Sequence, residues 1–201
     1  MIGANRQPEL VTAATVWPVT EAEVISQIKQ TGFIVSGDTE YDFITDLKKD
    51  ATDQAEQYMN RKLITQTWKM TLDCQPDIIY FPFGWLLSIV SAVTVAEDDT
   101  TTDETTRGSG STPIYHTKTG ENGRIYLKQG YSWTTTSRNY GLLVINFTTG
   151  YDATGAKTPP AIKDAILKLA AFLYYNREDP ETSERNNILK LLDPWRVLRI
   201  Y

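Results

Sequence analysis

The stretch VINFTTGYDATGAKTPPAIKDAILKLAAF, residues 144–172, decides how the chain is put together. A strand-like run ends at Gly150, Gly155 follows, and Lys157 and Thr158 come just before a helical pattern. A phosphate-binding loop has a glycine, four residues and then Gly-Lys-Ser/Thr, so that backbone amides and the lysine converge on the phosphates. Here Ala156 separates Gly155 from Lys157. Pro159 and Pro160 also lack the N–H groups that a helix N-terminus offers an anion. The stretch therefore reads as a joint carrying a strand into a helix. A nucleotide-binding protein using the 150–158 loop is the least favoured alternative, since the chain does not alternate strands and helices as a nucleotide-binding sheet does.

Downstream of the joint, Ile162, Ile166, Leu169, Phe172 and Leu173 fall at helical period. Pro160 sits in a first turn, where its missing N–H is no loss, and Glu178-Asp179-Pro180 ends the helix. Upstream, Thr20 and Glu23 have the spacing of a capping box, opening a helix expected to run to about Thr31 before Gly32. A second, longer helix is predicted from about Asp38 to Asn60, with Ile44, Leu47, Ala51, Ala55 and Tyr58 on one stripe. Its other side carries Asp42, Asp46, Asp50, Asp53 and Glu56. Between the helical ends lie short strand patterns at 64–72, 78–81, 86–95, 113–117, 124–128 and 142–148. The polar segment 98–112 is expected to be a mobile hairpin loop.

The expected fold class is thus α+β: a helical body formed by N- and C-terminal helices, with an inserted antiparallel β block. The predicted divisions are a flexible leader over 1–19, a domain over 20–180 and a C-terminal tail over 181–201. Within the domain, helices occupy 20–60 and 159–178 and the β region occupies 63–150.

A net charge of −5 argues against a protein whose main task is gripping nucleic acid. Cys74 and His116 are the only cysteine and histidine, so neither a disulfide nor a thiolate or imidazole metal cluster is expected. MIGANRQPEL has no apolar signal region, and Lys163, Asp164 and Lys168 break the most apolar helix, so a soluble, reducing setting without a membrane span is expected. Asp98, Asp99, Asp103 and Glu104 lack the spacing of a calcium loop and read as a solvated tip. No catalytic constellation, cofactor site or metal site emerges. The tail residues Trp195, Arg196, Arg199 and Tyr201 are of types enriched at interface anchors, and such a tail either folds back or docks into a partner.

Several stretches in order, EAEVISQIKQ, DATDQAEQYMNRKLITQTWKMTLD, YFPFGWLLSIVSAVTV, the Gly130–Trp133 turn and the joint with its helix through Asp179, resemble the tailed-bacteriophage head–tail connector proteins, also called adaptor or head-completion proteins. The likeness covers about residues 20–180, is strongest in NRKLITQTW and TGY…PPAIKDAILKLAAFLYYNRE, and is weakest at the N-terminus and over 98–123. It implies a non-enzymatic structural role in the virion neck, after assembly in the host cytoplasm. Such proteins form a ring, usually twelvefold, under the portal protein, extend the DNA channel and present a platform to stopper, head-closure or tail-completion proteins.

On that footing the expected partners are the portal, the next tail-ward protein and copies of the chain in a dodecamer. DNA would pass without specific binding. The face of Asp42, Asp46, Asp50, Asp53 and Glu56 is expected to line the channel, since a wall that attracts no phosphates lets DNA slide. The tail is expected to dock on the portal through Trp195, Arg196, Arg199 and Tyr201, and the 98–112 loop to reach a neighbour. The alternatives are another neck component, such as a head-closure or tail-terminator protein, or a nucleic-acid-binding module.

Overall fold

The computed structural model describes residues 8–29, 34, 36–137, 140–177 and 182–197. The chain is α+β and divides into two compact units. One is a β unit of Thr65–Gly150 joined by the N-terminal residues through Ala13; the other is a helical unit of Ala14–Ile64 and Tyr151–Tyr201.

The helical unit holds α1 (Glu21–Gln27), α2 (Thr39–Met59), α3 (Pro160–Tyr175), α4 (Thr182–Lys190) and a short 3₁₀ turn at Asp193–Trp195. The capping box of α1 is formed: Thr20 Oγ1 accepts from the Glu23 amide at 3.3 Å, and Glu23 Oε2 accepts from the Thr20 amide at 2.6 Å. This helix stops at Gln27, earlier than the Gly32 stop signal implies, with Lys29 already at φ 57°. The long helix α2 ends where Asn60 turns left-handed at φ 51°, a conformation that asparagine tolerates better than most residues. Its buried positions include Ile44, Leu47, Ala51 and Ala55, as the periodicity predicts, while Tyr58 is half-buried. Ile44, Ala51 and Ala55 join Val24, Ile28, Met59, Leu63 and the α3 residues Ile162, Ile166, Leu169 and Phe172 in one core. Truncating such a large core side chain to alanine typically costs about 2–5 kcal/mol.

The β unit contains β1 (Glu9–Thr12), β2 (Gln66–Leu72), β3 (Ile78–Tyr80), β4 (Trp85–Val95), β5 (Thr101–Asp103), β6 (Tyr115–Lys118), β7 (Gly120–Glu121), β8 (Arg124–Leu127) and β9 (Leu143–Thr149). The larger sheet runs β1-β2-β9-β4-β5, with β7 also on β4; the smaller runs β3-β8-β6. All named pairings are antiparallel. In β9 the alternation is strict, with Leu143, Ile145, Phe147 and Thr149 buried and Val144, Asn146 and Thr148 half-buried. Phe147 packs on Phe81 with ring centres 4.8 Å apart, and Trp133 Nε1 donates to the Pro76 carbonyl at 2.9 Å.

Two sequence expectations give way here. The leader is not loose throughout: Glu9–Thr12 adds an exposed edge strand to β2, with Lys69 paired to Glu9 at 2.6 Å. Four residues without periodicity gave no strand signal; the open backbone edge of β2 supplies the hydrogen-bonding template. The 98–112 segment is likewise built rather than loose. Asp98 Oδ1 accepts from the Thr100 amide and hydroxyl at 3.1 and 2.6 Å, and β5 then pairs with β4. Glu104 is fully buried and accepts from Thr94 Oγ1 at 2.7 Å and the Thr134 amide at 2.9 Å, while also pairing with Arg107.

Candidate interaction surfaces

The joint between β9 and α3 offers no vacant ligand site. Asp152 fills the concavity that a phosphate would need: its Oδ1 accepts from the Gly155 amide at 2.9 Å and the Lys157 amide at 3.4 Å, and its Oδ2 accepts from Thr154 Oγ1 at 2.6 Å. The Thr154 hydroxyl and these amides hold its carboxyl below the usual aspartate value. Gly155 is required twice over, since its φ is 78° and an added Cβ would lie 2.9 Å from Pro18 Cα. The loop amides are thus engaged within the chain: Gly155 and Lys157 on the Asp152 carboxylate, Ala156 on the Thr154 hydroxyl and Thr158 on the Gly155 carbonyl.

On α2 the aspartates separate from the glutamate. Asp42, Asp46, Asp50 and Asp53 are exposed and span about 16 Å of helix axis. Lys49 reaches Asp46 at 3.0 Å, an exposed pair of little energetic weight. Lys48 turns the other way, buried against Glu21 with its ammonium 4.9 Å from the centre of the Trp17 ring. Glu56 is buried, which corrects its assignment to the exposed acidic face. The reversal at Asn60 lays residues 61–63 over the last turn of α2, so Glu56 accepts from the Leu63 amide at 2.8 Å and pairs with Lys62 at 2.7 Å. Burial pushes its carboxyl above the ordinary glutamate value in spite of those two partners.

The tail folds back as far as it is described. Leu189 and Leu192 are buried in the helical core, and Trp195 packs against it half-buried. The Trp195 carbonyl accepts from Arg61 Nε at 3.1 Å, and the Val197 amide donates to the Met59 carbonyl at 2.8 Å. Tyr58 donates to Asp193 at 2.5 Å, which raises the Tyr58 phenol above its usual value. Arg196 is exposed, with its guanidinium 5.2 Å from the centre of the Tyr58 ring. Of the two options for the tail, folding back holds through Val197, so Trp195 is engaged at home; Arg199 and Tyr201 lie outside the described residues.

Sequence reasoning missed Arg61, which is 2 % exposed and ties three segments together. Its Nη1 donates to Tyr151 Oη at 2.8 Å, its guanidinium lies 5.6 Å from that ring centre, and its Nε holds the tail. A single arginine after a helix carries no spacing that reveals such a role. His116 is exposed and stacks on Tyr126 with centres 5.2 Å apart; Cys74 is half-buried. Among the described residues no group of three or more His, Cys, Asp or Glu could hold a metal ion, and no helix is long and apolar enough to cross a membrane.

These elements define a class by fold: a helical unit interrupted in sequence by an antiparallel β unit. No protein-family model matches the chain, and no curated protein does. Solved structures do. The chain is similar to a chain in the neck of an empty gene transfer agent (GTA) particle computed with C6 symmetry, at TM-score 0.79 and 16% identity over 98% of both chains. It is similar to one in the virion of a native GTA particle at TM-score 0.77 and 16% identity, again over 98% of both. A third likeness, to a chain in the neck of a native GTA particle computed with C12 symmetry, has TM-score 0.69 and 17% identity over the same shares. At such identity the likeness establishes a shared fold.

Proposed function

We propose that the chain is a structural component of a phage-like neck, and within that class the head–tail connector, or adaptor. The observation that carries this is the extent of the likeness to chains of GTA necks and virions: 98% of both chains, so both units and the joint between them in sequence are shared. The resemblance in residues 20–180 points the same way. In this reading copies of the chain form a ring under the portal, a dodecamer in the virion, and offer a platform to a stopper or tail-completion protein. Asp42, Asp46, Asp50 and Asp53 would face the lumen, where four exposed carboxylates repel phosphates and leave DNA unbound. Glu56 has no part in that surface. For portal docking the exposed Arg196 and the residues beyond Val197 take the place of the engaged Trp195.

Electron microscopy of the purified protein mixed with its cognate portal tests the assignment. A ring stacked on the portal is expected. A ring that binds only tail-tube ends, or only a preformed portal–adaptor complex, would overturn it in favour of a tail-terminator or head-closure protein. Truncation after Val197 together with Arg196→Glu tests the docking surface; unimpaired attachment would refute it. Truncation further upstream is uninformative, because it strips Leu189 and Leu192 from the core.

A further inference from the structure

The outer face of the smaller sheet is built for contact. Its registers set Ile78 opposite Tyr126, Tyr80 opposite Arg124, His116 opposite Tyr126 and Lys118 opposite Arg124. Strand alternation puts these six on the side away from the buried Ile79, Tyr115 and Ile125. A solvated sheet face is ordinarily polar, yet here Ile78 is 49%, Tyr80 58% and Tyr126 40% exposed. The Arg124 guanidinium lies 5.9 Å from the centre of the Tyr80 ring. Tyrosine and arginine are the types that anchor interfaces, and among these six residues the formal charges, Arg124 and Lys118, are both positive. The surface fits an acidic partner that also covers apolar area.

The same unit presents such a partner on a different surface. At the β4–β5 hairpin, Glu97, Asp98 and Asp99 are three consecutive exposed carboxylates. The tip is set before any contact: the Ala96 amide donates to the Thr100 carbonyl at 2.8 Å, the Asp99 amide to the Ala96 carbonyl at 3.1 Å, and Asp98 caps Thr100. A preformed tip loses little conformational freedom on binding.

We infer that the outer face of the β3-β8-β6 sheet docks the acidic β4–β5 hairpin of a second copy of this chain. Contact between two different patches is heterologous, the kind that closes into a ring when its rotation permits. The inference rests on the ring reading above and names the surfaces that would join its subunits.

The test reverses charge on the sheet face and neutralises it at the hairpin tip. One variant carries Lys118→Glu and Arg124→Glu; the other carries Glu97→Lys and Asp99→Asn, leaving the capping Asp98 in place. Asparagine suits the φ of 62° at position 99. Circular dichroism checks that both remain folded, and assembly is read by sedimentation and by electron microscopy with portal. Each variant alone is expected to lose assembly by about tenfold or more, because like charges face each other in the first and no net charge remains at the tip to attract the face in the second. An equimolar mixture regains part of it, since in an alternating ring every second junction joins two wild-type surfaces and the others set a neutral tip carrying one new ammonium against the two introduced carboxylates. Variants that assemble like the wild type, or a mixture that fails, overturn the inference while a wild-type ring on portal upholds the adaptor reading. Self-association that shows this charge pattern without portal binding supports the inference and removes the adaptor reading. A wild type that neither self-associates nor forms a ring overturns both.

Discussion

Glu56 in the helical unit and Glu104 in the β unit are both buried glutamates, and their environments drive them in opposite directions. Burial pushes both carboxyls up. At Glu104 the Thr94 hydroxyl, the Thr134 amide and Arg107 outweigh it, and the carboxyl ends below its ordinary value of 4.5. At Glu56 only Lys62 and the Leu63 amide oppose burial, and the carboxyl ends above that value. Donor supply rather than depth decides whether a buried carboxylate helps hold a fold or strains it.

The largest effect is expected where the donors are most numerous. Glu104→Ala leaves the Thr134 amide without its acceptor and Arg107 without its carboxylate, and should cost about 3 kcal/mol. Hydrogen exchange at β4, β5 and the Thr134 amide reports it within the β unit. A loss below about 1 kcal/mol would mean that the donors find water, and that Glu104 is no keystone.

Arg61 is the corresponding clamp in the helical unit. Arg61→Met keeps the apolar stem but removes the donors to the Tyr151 hydroxyl and the Trp195 carbonyl, at about 2 kcal/mol. Limited proteolysis should then cut at residues 193–197 before the helical core opens. Simultaneous cleavage and unfolding would show that the clamp holds the whole unit and not the tail alone.

The pH response sharpens the contrast further. Glu104, with its folded pKa lowered, contributes stability that is present above 4.5 and lost as pH falls through the folded value. For Glu56 the sign inverts: its folded pKa is raised, so the folded chain holds the proton more tightly, and its contribution is fully present below 4.5 and lost as pH rises through the raised value. Glu56→Gln should therefore flatten the decline above pH 4.5 in the helical unit and leave the acid limb of the β unit unchanged. Proton-exchange profiles followed separately for the two units check this. An unchanged decline above pH 4.5 in Glu56→Gln would assign it to another group.

The contrast also marks what a sequence can carry. The core stripes of α2 and α3 were legible because burial repeats with the helical period, and the capping box because its two partners lie three residues apart. The strands β2, β3, β4, β6, β8 and β9 were legible from alternation and turns, while β5 and β7 were not. Glu56 was misplaced because the wheel of α2 cannot know that the chain reverses at Asn60 and covers its last turn. Glu104 was misread as part of a solvated tip and Arg61 was not singled out, because their partners, Thr134, Tyr151 and Trp195, lie 30, 90 and 134 residues away. The β1 strand was missed because an edge strand needs only a neighbour's open backbone. The candidate surfaces on α2 and the tail were visible as residue types, and only folding showed which members remain exposed.

The smallest effect on stability should come from the exposed row. Asp42, Asp46 and Asp50 repeat every four residues, so each neighbouring pair of like charges costs a few tenths of a kcal/mol. Converting all four exposed aspartates to asparagine should therefore change stability by no more than about 1 kcal/mol, since the relief of repulsion is offset by losing Asp42 from the first turn and the Asp46–Lys49 pair. Function is where the change should register. If these carboxylates face DNA, their loss removes the repulsion that keeps phosphates away, so the quadruple variant in assembled particles should retain or slow DNA on release, most clearly at low salt where screening is weakest. Release at the wild-type rate across salt concentrations would move the row off the channel wall. A defect that persists at high salt would point instead to a protein contact on the same face.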